Sequence, residues 1–506
     1  MFIRQKINKS GSKSVQIISK SKGIYKVVKT IGCSRDINKL RILINLASQE
    51  IEHLKSQPKL FISEKDQVID LIFSELSNAN VRTIGPELIF GKIYDNIGFG
   101  TLNEDLFRHL VIARLAYPLS KLKTVDYLYR YQGVTLDIDE IYRFLDKLND
   151  KLKTRVEQIA FSHTLKVLKG NISIVFYDMT TLYFEASQED ELRRTGFSKD
   201  GKHSSPQIFL GLLVGLGGYA IGYDIFECNI YEGNTLIPFI ENIRKKFNLA
   251  KPVIVADSGL LSAKNISSLK AMGYEYIIGA RLKNETESCK QQILSRTGKA
   301  EQIFCIEKQD GDRLIVAHSS SRAFKDEFNR KRGLKRLEKQ IKTGKLTKGN
   351  INNKGYNKYL KMTGKISISI DYEKYEKDKL WDGLKGYITN TKLEDTGVIE
   401  NYNNLWHIER AFRMSKTDLR IRPIYHRLRH RIEAHICISF TAYCIYKELE
   451  RLLSLNKSNL SVKKASELTH NMYEIIFMLP ESRHLKSMLL KMDDEQSELY
   501  KIISSI

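Results

Sequence analysis

Three acidic residues lie in sequence settings that suit metal-dependent chemistry at phosphodiesters. Asp178 follows the apolar run Val175-Phe176-Tyr177, and a lone carboxylate in a buried strand is costly unless it is paired, hydrogen-bonded or metal-bound. Asp257 ends the run VIVAD, at the carboxyl edge of a predicted strand, where ligand sites gather in α/β sheets. Two Mg²⁺ ions, roughly 3.5–4 Å apart, can serve both the attacking and the leaving oxygen, and they need only a few acids from separate elements.

The third acid, Glu409, belongs to the segment ENYNNLWHIERAFRMSKTDLRIRP, which is predicted to be helical. At roughly 100° per residue, one face of this helix carries Tyr402, Leu405, Glu409 and Lys416. An adjacent apolar stripe would seat the helix on a sheet, with Glu409 at the edge of the stripe. The stripe consists of Ile408, Phe412 and Leu419.

Each acid also has an ordinary structural explanation. Asp178 or Asp257 alone would equally suit a residue that caps the helix after its strand. Glu409 alone is better explained as a surface residue of an amphipathic helix. The functional interpretation depends on the combination, because two acids on adjacent predicted strands and a third on a facing helix supply what a metal pair needs.

Positive charge is a second functional clue. Lys and Arg exceed Asp and Glu by 82 − 59 = 23, and such a charge opposes compaction unless a polyanion such as nucleic acid offsets it. Residues 1–30 contain eight Lys/Arg and no acid, and residues 321–365 contain fifteen Lys/Arg and three acids. A lysine-rich surface from an AT-rich genome would explain the average excess but not these clusters. The charge therefore favours a nucleic-acid partner.

Other features exclude several classes of protein. No apolar run approaches the roughly eighteen residues of a membrane span, and the amino terminus lacks a secretion signal, so a cytoplasmic protein is expected. The six cysteines form no CxxC pair, which argues against a structural zinc site and a disulfide scaffold. His426, His430 and His435 do not share one helical face, which argues against a histidine metal site.

The pattern of apolar residues and turns predicts a core in the order strand, strand, strand, helix, strand, helix, strand, which fits a mixed sheet covered by helices. The helices before it would form either a DNA-end-binding domain or a plain bundle. The predicted parts are a β-hairpin plus helix (1–60), a helical DNA-binding region (61–169), the first part of the core (170–283), a basic β-rich insertion (284–395), the helix with the third acid (396–450) and a helical tail (451–506).

Together these segments resemble the DDE transposases of bacterial insertion sequences, in the class with the signature Tyr-x2-Arg-x3-Glu-x6-Lys. Tyr402, Glu409 and Lys416 match in type and spacing. YDMTTLYFE and VIVADSGLLS resemble the strands that carry the first and second Asp of that family. GFSKDG, PQIFLGLL, GNTLIPF and YIIGARLK also look like this group, and the matches follow the order of the family over about 170–283 and 396–440.

The resemblance implies an α/β fold: a ribonuclease-H-like mixed sheet flanked by helices and interrupted by the β-rich insertion, with a mostly helical N-terminal region and a helical C-terminal tail. It implies that Asp178, Asp257 and Glu409 are catalytic and bind two Mg²⁺ ions, for which Mn²⁺ would substitute. Tyr402, Lys416 and nearby arginines would hold DNA phosphates.

The chain departs from the signature at Leu405, where the family has Arg. That arginine is associated with DNA-phosphate contacts near the reacting end. Arg413 and Arg420 lie at about 20° and 0° on the helical wheel, so they would supply the missing charge. Trp381 or Trp406 would stack on a displaced base, although core packing is the favoured explanation for both.

The resulting prediction is a transposase that nicks DNA at insertion-sequence ends and joins the freed 3′ ends to target DNA by cut-and-paste movement. Its partner would be double-stranded DNA, and paired ends imply at least a dimer. Two alternatives stay open: a structure-selective nuclease of the same fold, and an inactive DNA-binding protein descended from a transposase. Terminal inverted repeats beside the gene would favour a transposase over a nuclease.

Overall fold

The computed structural model describes every residue except 9–10, 22, 56–63, 78–79, 149, 186–187, 197, 199–200, 229, 231–233, 260–261, 298–301, 347, 353–354 and 364–366. The segments GFSKDG, VIVADSGLLS and GNTLIPF lie partly outside the described residues. The chain forms two compact units: Met1–Asn80 with Ile476–Ser487, and Val81–Ile475 with Met488–Ile506.

The smaller unit contains an antiparallel three-stranded sheet in the order β1-β2-β3. Its elements are β1 (Phe2–Ile7), β2 (Lys13–Ser21), β3 (Ile24–Ser34), α1 (Ile37–Lys55) and α2 (Glu64–Glu75). Val15 and Ile17 of β2 pack against Leu40, Ala47 and Ile51 of α1. β2, β3 and α1 lie where the sequence predicts a hairpin and a helix. β1 is an additional strand that was not predicted, since its residues show no clear alternation of apolar and polar types.

The larger unit begins with a short strand and a series of helices, as the helical pattern predicts. They are β4 (Val81–Thr83), α3 (Lys92–Ile97), α4 (Asp105–Ala116), α5 (Lys121–Tyr127), α6 (Ile138–Lys147) and α7 (Asp150–Val167). At the start of α6, Asp137 and Glu140 form a reciprocal capping box.

The core follows the predicted order of strands and helices. Its elements are β5 (Ile174–Tyr183), β6 (Gln207–Val214), β7 (Ala220–Glu227), α8 (Leu236–Phe247), β8 (Val253–Ala256), α9 (Ala263–Ala271) and β9 (Tyr276–Ala280). β5 runs antiparallel to β6 and parallel to β8, and β8 runs parallel to β9. β6 is buried along its whole length, because helices cover both faces of the sheet.

The stretch 284–395, predicted to be a basic β-rich insertion, contains long helices as well as strands. Its elements are α10 (Glu287–Arg296), β10 (Ile303–Glu307), β11 (Arg313–His318), α11 (Ser320–Lys342), β12 (Leu360–Thr363), β13 (Ser367–Ile370), α12 (Tyr372–Lys379) and β14 (Leu384–Thr389). β14 pairs with β9, so the main sheet has eight strands in the order β10-β11-β14-β9-β8-β5-β6-β7. β13 ends at Ile370, and the next residue, Asp371, caps α12.

The last part of the chain contains α13 (Asp395–Asn403), α14 (Trp406–Arg413), α15 (Arg429–Leu455), α16 (Val462–Thr469), β15 (Tyr473–Met478), β16 (Leu485–Leu489) and α17 (Asp494–Ser504). The prediction of an entirely helical tail is wrong at β15 and β16. Tyr473 of β15 pairs with Thr83 of β4, a partner about 390 residues away that local sequence does not reveal. None of the described helices is both long enough and apolar enough to span a bilayer.

Candidate active site

The three sequence-predicted acids line one cavity, which we call the acid cavity. Its volume is about 250 Å³. The lining residues are Asp178, Asp257, Lys385, Tyr402, Asn403, Leu405, Trp406, Ile408 and Glu409. The acids come from β5, from the residue that follows β8, and from α14, so the tertiary structure brings together residues up to 231 positions apart (409 − 178).

Asp178 reaches the cavity because of the alternation of side chains along β5. Phe176 belongs to the core cluster that also contains Ile408 and Phe412 of α14, whereas Tyr177 and Met179 belong to the cluster on the opposite face. Successive strand residues point to opposite faces, so Asp178 shares the face of Phe176, toward α14. Its Oδ1 accepts a hydrogen bond from the Met179 backbone N–H at 2.7 Å.

Asp257 lies one residue beyond β8, the strand parallel to β5, and it is exposed. Its Oδ1 accepts hydrogen bonds from the Ser258 backbone N–H at 2.6 Å and from the Tyr402 hydroxyl at 3.3 Å. Burial, followed by the charge of Asp257, raises the pKa of Tyr402, so its hydroxyl stays protonated at neutral pH. Tyr402 is therefore a hydrogen-bond donor that orients the Asp257 carboxylate.

Glu409 is exposed on α14, and the helix that carries it is not the single helix that the sequence predicts. α13 ends at Asn403 and α14 begins at Trp406, with Asn403 and Asn404 as poor helix formers at the break. Tyr402, Leu405 and Glu409 nevertheless line the same cavity. Buried Leu405 occupies the place of the signature arginine, so the chain brings an apolar side chain to this wall.

Trp406 is 46% exposed at the acid cavity, so the favoured explanation of core packing is wrong for this residue. It begins α14 on the solvent side of the apolar stripe. Trp381 is partly buried and packs against the small cluster that contains Leu282 and Leu384, which agrees with core packing.

Lys385 of β14 is a cation in the acid cavity that sequence reasoning missed. Burial, followed by Arg322, lowers the pKa of its ammonium group, whereas Asp257 and Glu409 act in the opposite direction. The ammonium group also lies 4.5 Å from the ring centroid of Tyr402. The sequence signal is a lone lysine in an otherwise apolar strand, but only the pairing of β14 with β9 shows that it meets the acids.

The other residues predicted to bind DNA lie outside the acid cavity. Lys416 is in a π-helical turn, Met414–Asp418, which changes the phase that a straight helix would give. Arg413 lines a different cleft, together with Asp418. Arg420 lies beyond the helix with a left-handed backbone (φ 46°), so its position on the helical wheel does not apply.

The donor set of the acid cavity suits a hard divalent cation. Mg²⁺ prefers carboxylate oxygens and keeps several waters, so three acids are enough in kind and number. Among the described residues, no group of three or more His, Cys, Asp or Glu is assembled closely enough to hold a metal ion as it stands. The three carboxylates therefore have the donor chemistry that a hard divalent cation prefers and share one cavity, but they do not form a metal site in this arrangement.

A comparison with known families decides the identity. The family described as "Transposase DDE domain" matches residues 169–445, which is more than half of the chain and contains all three acids. The chain belongs to the DDE transposase family. Membership implies an enzyme of DNA transposition in general and confirms the resemblance to DDE transposases at the level of the family.

Two solved structures resemble parts of this DDE transposase. A piggyBac transposase synaptic complex with hairpin DNA has 11% sequence identity and a TM-score of 0.38, with 72% of this chain and 69% of that chain covered. A Mos1 transposase paired-end complex with the left transposon end has 10% identity and a TM-score of 0.16, with 46% and 66% covered. Among curated proteins, none matches the chain significantly.

Proposed function

We propose that this DDE transposase cuts DNA at the ends of an insertion sequence and joins the freed ends to target DNA, with Asp178, Asp257 and Glu409 as its catalytic acids. The observation that carries the proposal is the convergence of these three residues on one cavity. We also propose that β5 to β9 form a ribonuclease-H-like sheet, which is supported by three antiparallel strands followed by two parallel ones.

Asp178, Asp257 and Glu409 would hold two Mg²⁺ ions, or Mn²⁺ in their place. When bound, such a pair serves the attacking and the leaving oxygen of an in-line displacement at phosphorus. The Tyr402 hydroxyl restrains the Asp257 carboxylate in the orientation that faces the cavity. After the helix break at Asn403, α14 carries Glu409 to the same cavity as the two aspartates.

Lys385 and Trp406 would act on the DNA strand. The Lys385 ammonium group offers a positive charge to a non-bridging phosphate oxygen, on the same wall where Leu405 replaces the signature arginine. The exposed indole of Trp406 offers a surface on which an unstacked base can lie.

Double-stranded DNA is the proposed partner, and bringing two ends together requires at least two copies of the chain. The net charge of +23 supports this proposal. Tyr402 remains a proposed DNA contact near the reacting end, and Lys416, which lies outside the acid cavity, remains a proposed phosphate contact farther away. Arg413 and Arg420 would contact phosphates farther from the scissile bond, since they lie outside the acid cavity.

The proposal is tested by cleavage of a duplex that carries the terminal repeats of the element, with and without Mg²⁺. Asp178→Asn is expected to abolish cleavage while DNA binding persists. Asp224→Asn is a matched control: Asp224 is also partly buried on a strand of the same sheet, and its Oδ1 accepts the next backbone N–H at 2.9 Å. The assignment fails if Asp178→Asn cleaves as fast as the control, or if cleavage proceeds equally well in EDTA.

A further inference from the structure

A second cavity, of about 510 Å³, is lined by cations and shares no lining residue with the acid cavity. We call it the cationic pocket. Its charged and titratable lining residues are Arg114, Lys121, Lys123, Arg420, Arg422, His426 and His435, and tyrosines 142 and 425 also line it. No Asp or Glu of the described chain lines it.

Two of these cations are buried. Arg114 of α4 is 7% exposed and Lys121, the first residue of α5, is 9% exposed. The Arg114 guanidinium donates one long hydrogen bond, 3.5 Å, to the Arg420 carbonyl. No described carboxylate forms an ion pair with Arg114 or Lys121, and burial, followed by the charge of Arg114, lowers the pKa of Lys121. Buried like charges without a counterion are unfavourable, so a bound anion would stabilise this arrangement.

Buried charges elsewhere in the described part of this unit are paired. Glu157 forms an ion pair with Lys246, and Glu448 forms ion pairs with Arg451. The cationic pocket is thus an exception within its own fold, which distinguishes a binding site from an ordinary structural feature.

His435 of α15 adds an unpartnered polar atom to the cationic pocket. It is 6% exposed, its Nε2 lies 2.9 Å from the Ile421 carbonyl oxygen, and its Nδ1 is buried without a hydrogen-bond partner among the described residues. A hydrogen on Nε2 satisfies that carbonyl. Nδ1 then becomes a donor only when the ring takes up a proton, which a bound anion would favour.

We propose that the cationic pocket binds a phosphate group. A guanidinium fork matches two phosphate oxygens, and Lys121 adds a point charge, so together they suit a multiply charged oxyanion better than a single carboxylate. Tyr425, which is 70% exposed, offers a ring for an attached base at the mouth. The phosphate belongs either to a DNA strand or to a free phosphorylated molecule, and the DNA source rests on the proposed function.

The pocket is linked to the catalytic strand by hydrogen bonds. Ile424, between two lining residues, donates its N–H to the Tyr183 carbonyl at the end of β5, which also carries Asp178. A phosphate held here would therefore be fixed relative to the acid cavity. This distinguishes the pocket from a general basic surface.

Calorimetric titration of the full-length protein with inorganic phosphate and with pyrophosphate, in EDTA, tests the proposal. Wild type is expected to bind, and Lys121→Met is expected to bind roughly tenfold more weakly, the loss of one charged hydrogen bond. Lys264→Met, which removes an exposed lysine of α9, serves as the control and should bind as wild type does. Absence of binding by wild type, or equal binding by Lys121→Met, overturns the proposal.

Two further arms complete the test. If Lys121→Met does not fold, Lys123→Gln at the exposed mouth is measured instead, and unchanged affinity for phosphate overturns the proposal. Duplex DNA and a mononucleotide then distinguish the sources. Weaker DNA binding by the variant identifies a DNA phosphate, whereas unchanged DNA binding with lost mononucleotide binding identifies a free ligand. Since these experiments measure binding and not cleavage, their results do not depend on the catalytic assignment.

Discussion

The acid cavity leaves two of its carboxylates exposed, whereas the cationic pocket buries Arg114 and Lys121. Lys385 lies among the acids and partly offsets their charge, but no described acid lines the cationic pocket. The acid cavity can therefore exist in water without a ligand, while the cationic pocket carries an electrostatic cost until an anion enters. This comparison indicates that the burial of charged groups, more than their number, determines how strongly a bound ligand stabilises a site.

The largest expected effect is on the acid cavity. Glu409→Gln keeps the size of the side chain but removes the charge, and we expect a fall in cleavage rate on the order of 10³-fold, equivalent to about 4 kcal/mol of lost transition-state stabilisation. The measurement is single-turnover cleavage at saturating Mg²⁺. Glu400→Gln, at an exposed position of α13, is the control and should cleave at the wild-type rate. If the cleavage rate of Glu409→Gln lies within tenfold of the wild-type rate, Glu409 is not one of the catalytic acids.

The next effect concerns pH and the cationic pocket. Burial, followed by Lys121, Arg431 and Arg114, lowers the pKa of His426 to about 4, below its unfolded value near 6.5. The unfolded chain binds more protons between these values, so the stability present above pH 6.5 is lost as pH falls toward 4. At pH 5 the loss from His426 is roughly 2 kcal/mol.

Chemical denaturation of wild type and His426→Gln at pH 7 and pH 5 measures this loss. The variant should lose less stability between the two pH values, and phosphate should reduce the loss in wild type, because an anion favours protonated His426 and His435. His484→Gln, at an exposed site, should behave as wild type does. If added phosphate has no effect on the stability of wild type at pH 5, the cationic pocket does not differ from the acid cavity in its need for an anion.

Lys385→Met tests the acid cavity by removing its one positive charge among the described lining residues. The ammonium group attracts Asp257 and Glu409 and so competes with a divalent cation. Its removal should tighten Mn²⁺ binding roughly tenfold, about 1.4 kcal/mol, yet slow cleavage because a phosphate contact is lost. Titration calorimetry and cleavage rates give the two readouts, with Lys392→Met on the exposed loop as control. Weaker metal binding would contradict the arrangement described here.

Tyr402→Phe should give the smallest effect. It removes one hydrogen bond to the Asp257 carboxylate, and because that bond is long, 3.3 Å, we expect cleavage to slow by only about threefold. The pKa of Tyr402 is raised, so the ratio of the two rates should stay constant from pH 6 to pH 9. Tyr387→Phe, whose ring lies 5.0 Å from that of Tyr402, controls for local packing. A loss of 100-fold would indicate a direct catalytic role.

Much of the core could be predicted from local sequence. β-Branched and aromatic runs gave the strands around Asp178 and Asp257, since these residue types fit a buried sheet. Helical spacing placed Tyr402 and Glu409 on one side. The helical-wheel positions predicted beyond Arg413 are wrong, because a π-helical turn changes the direction of the side chains and Arg420 lies outside the helix. β15 also could not be predicted, because its strand partner is distant along the chain.

The sequence by itself determined the positive charge that favours DNA, and it indicated the three candidate acids and their order along the chain. Only the tertiary structure decided that Lys385 joins the acids and that Arg114, Lys121 and His435 form one pocket. The physical reason is that periodicity records which side of an element is buried, whereas a site depends on which elements meet. α4, α5 and α15 are brought together by packing over more than 300 residues, and no local pattern encodes that contact.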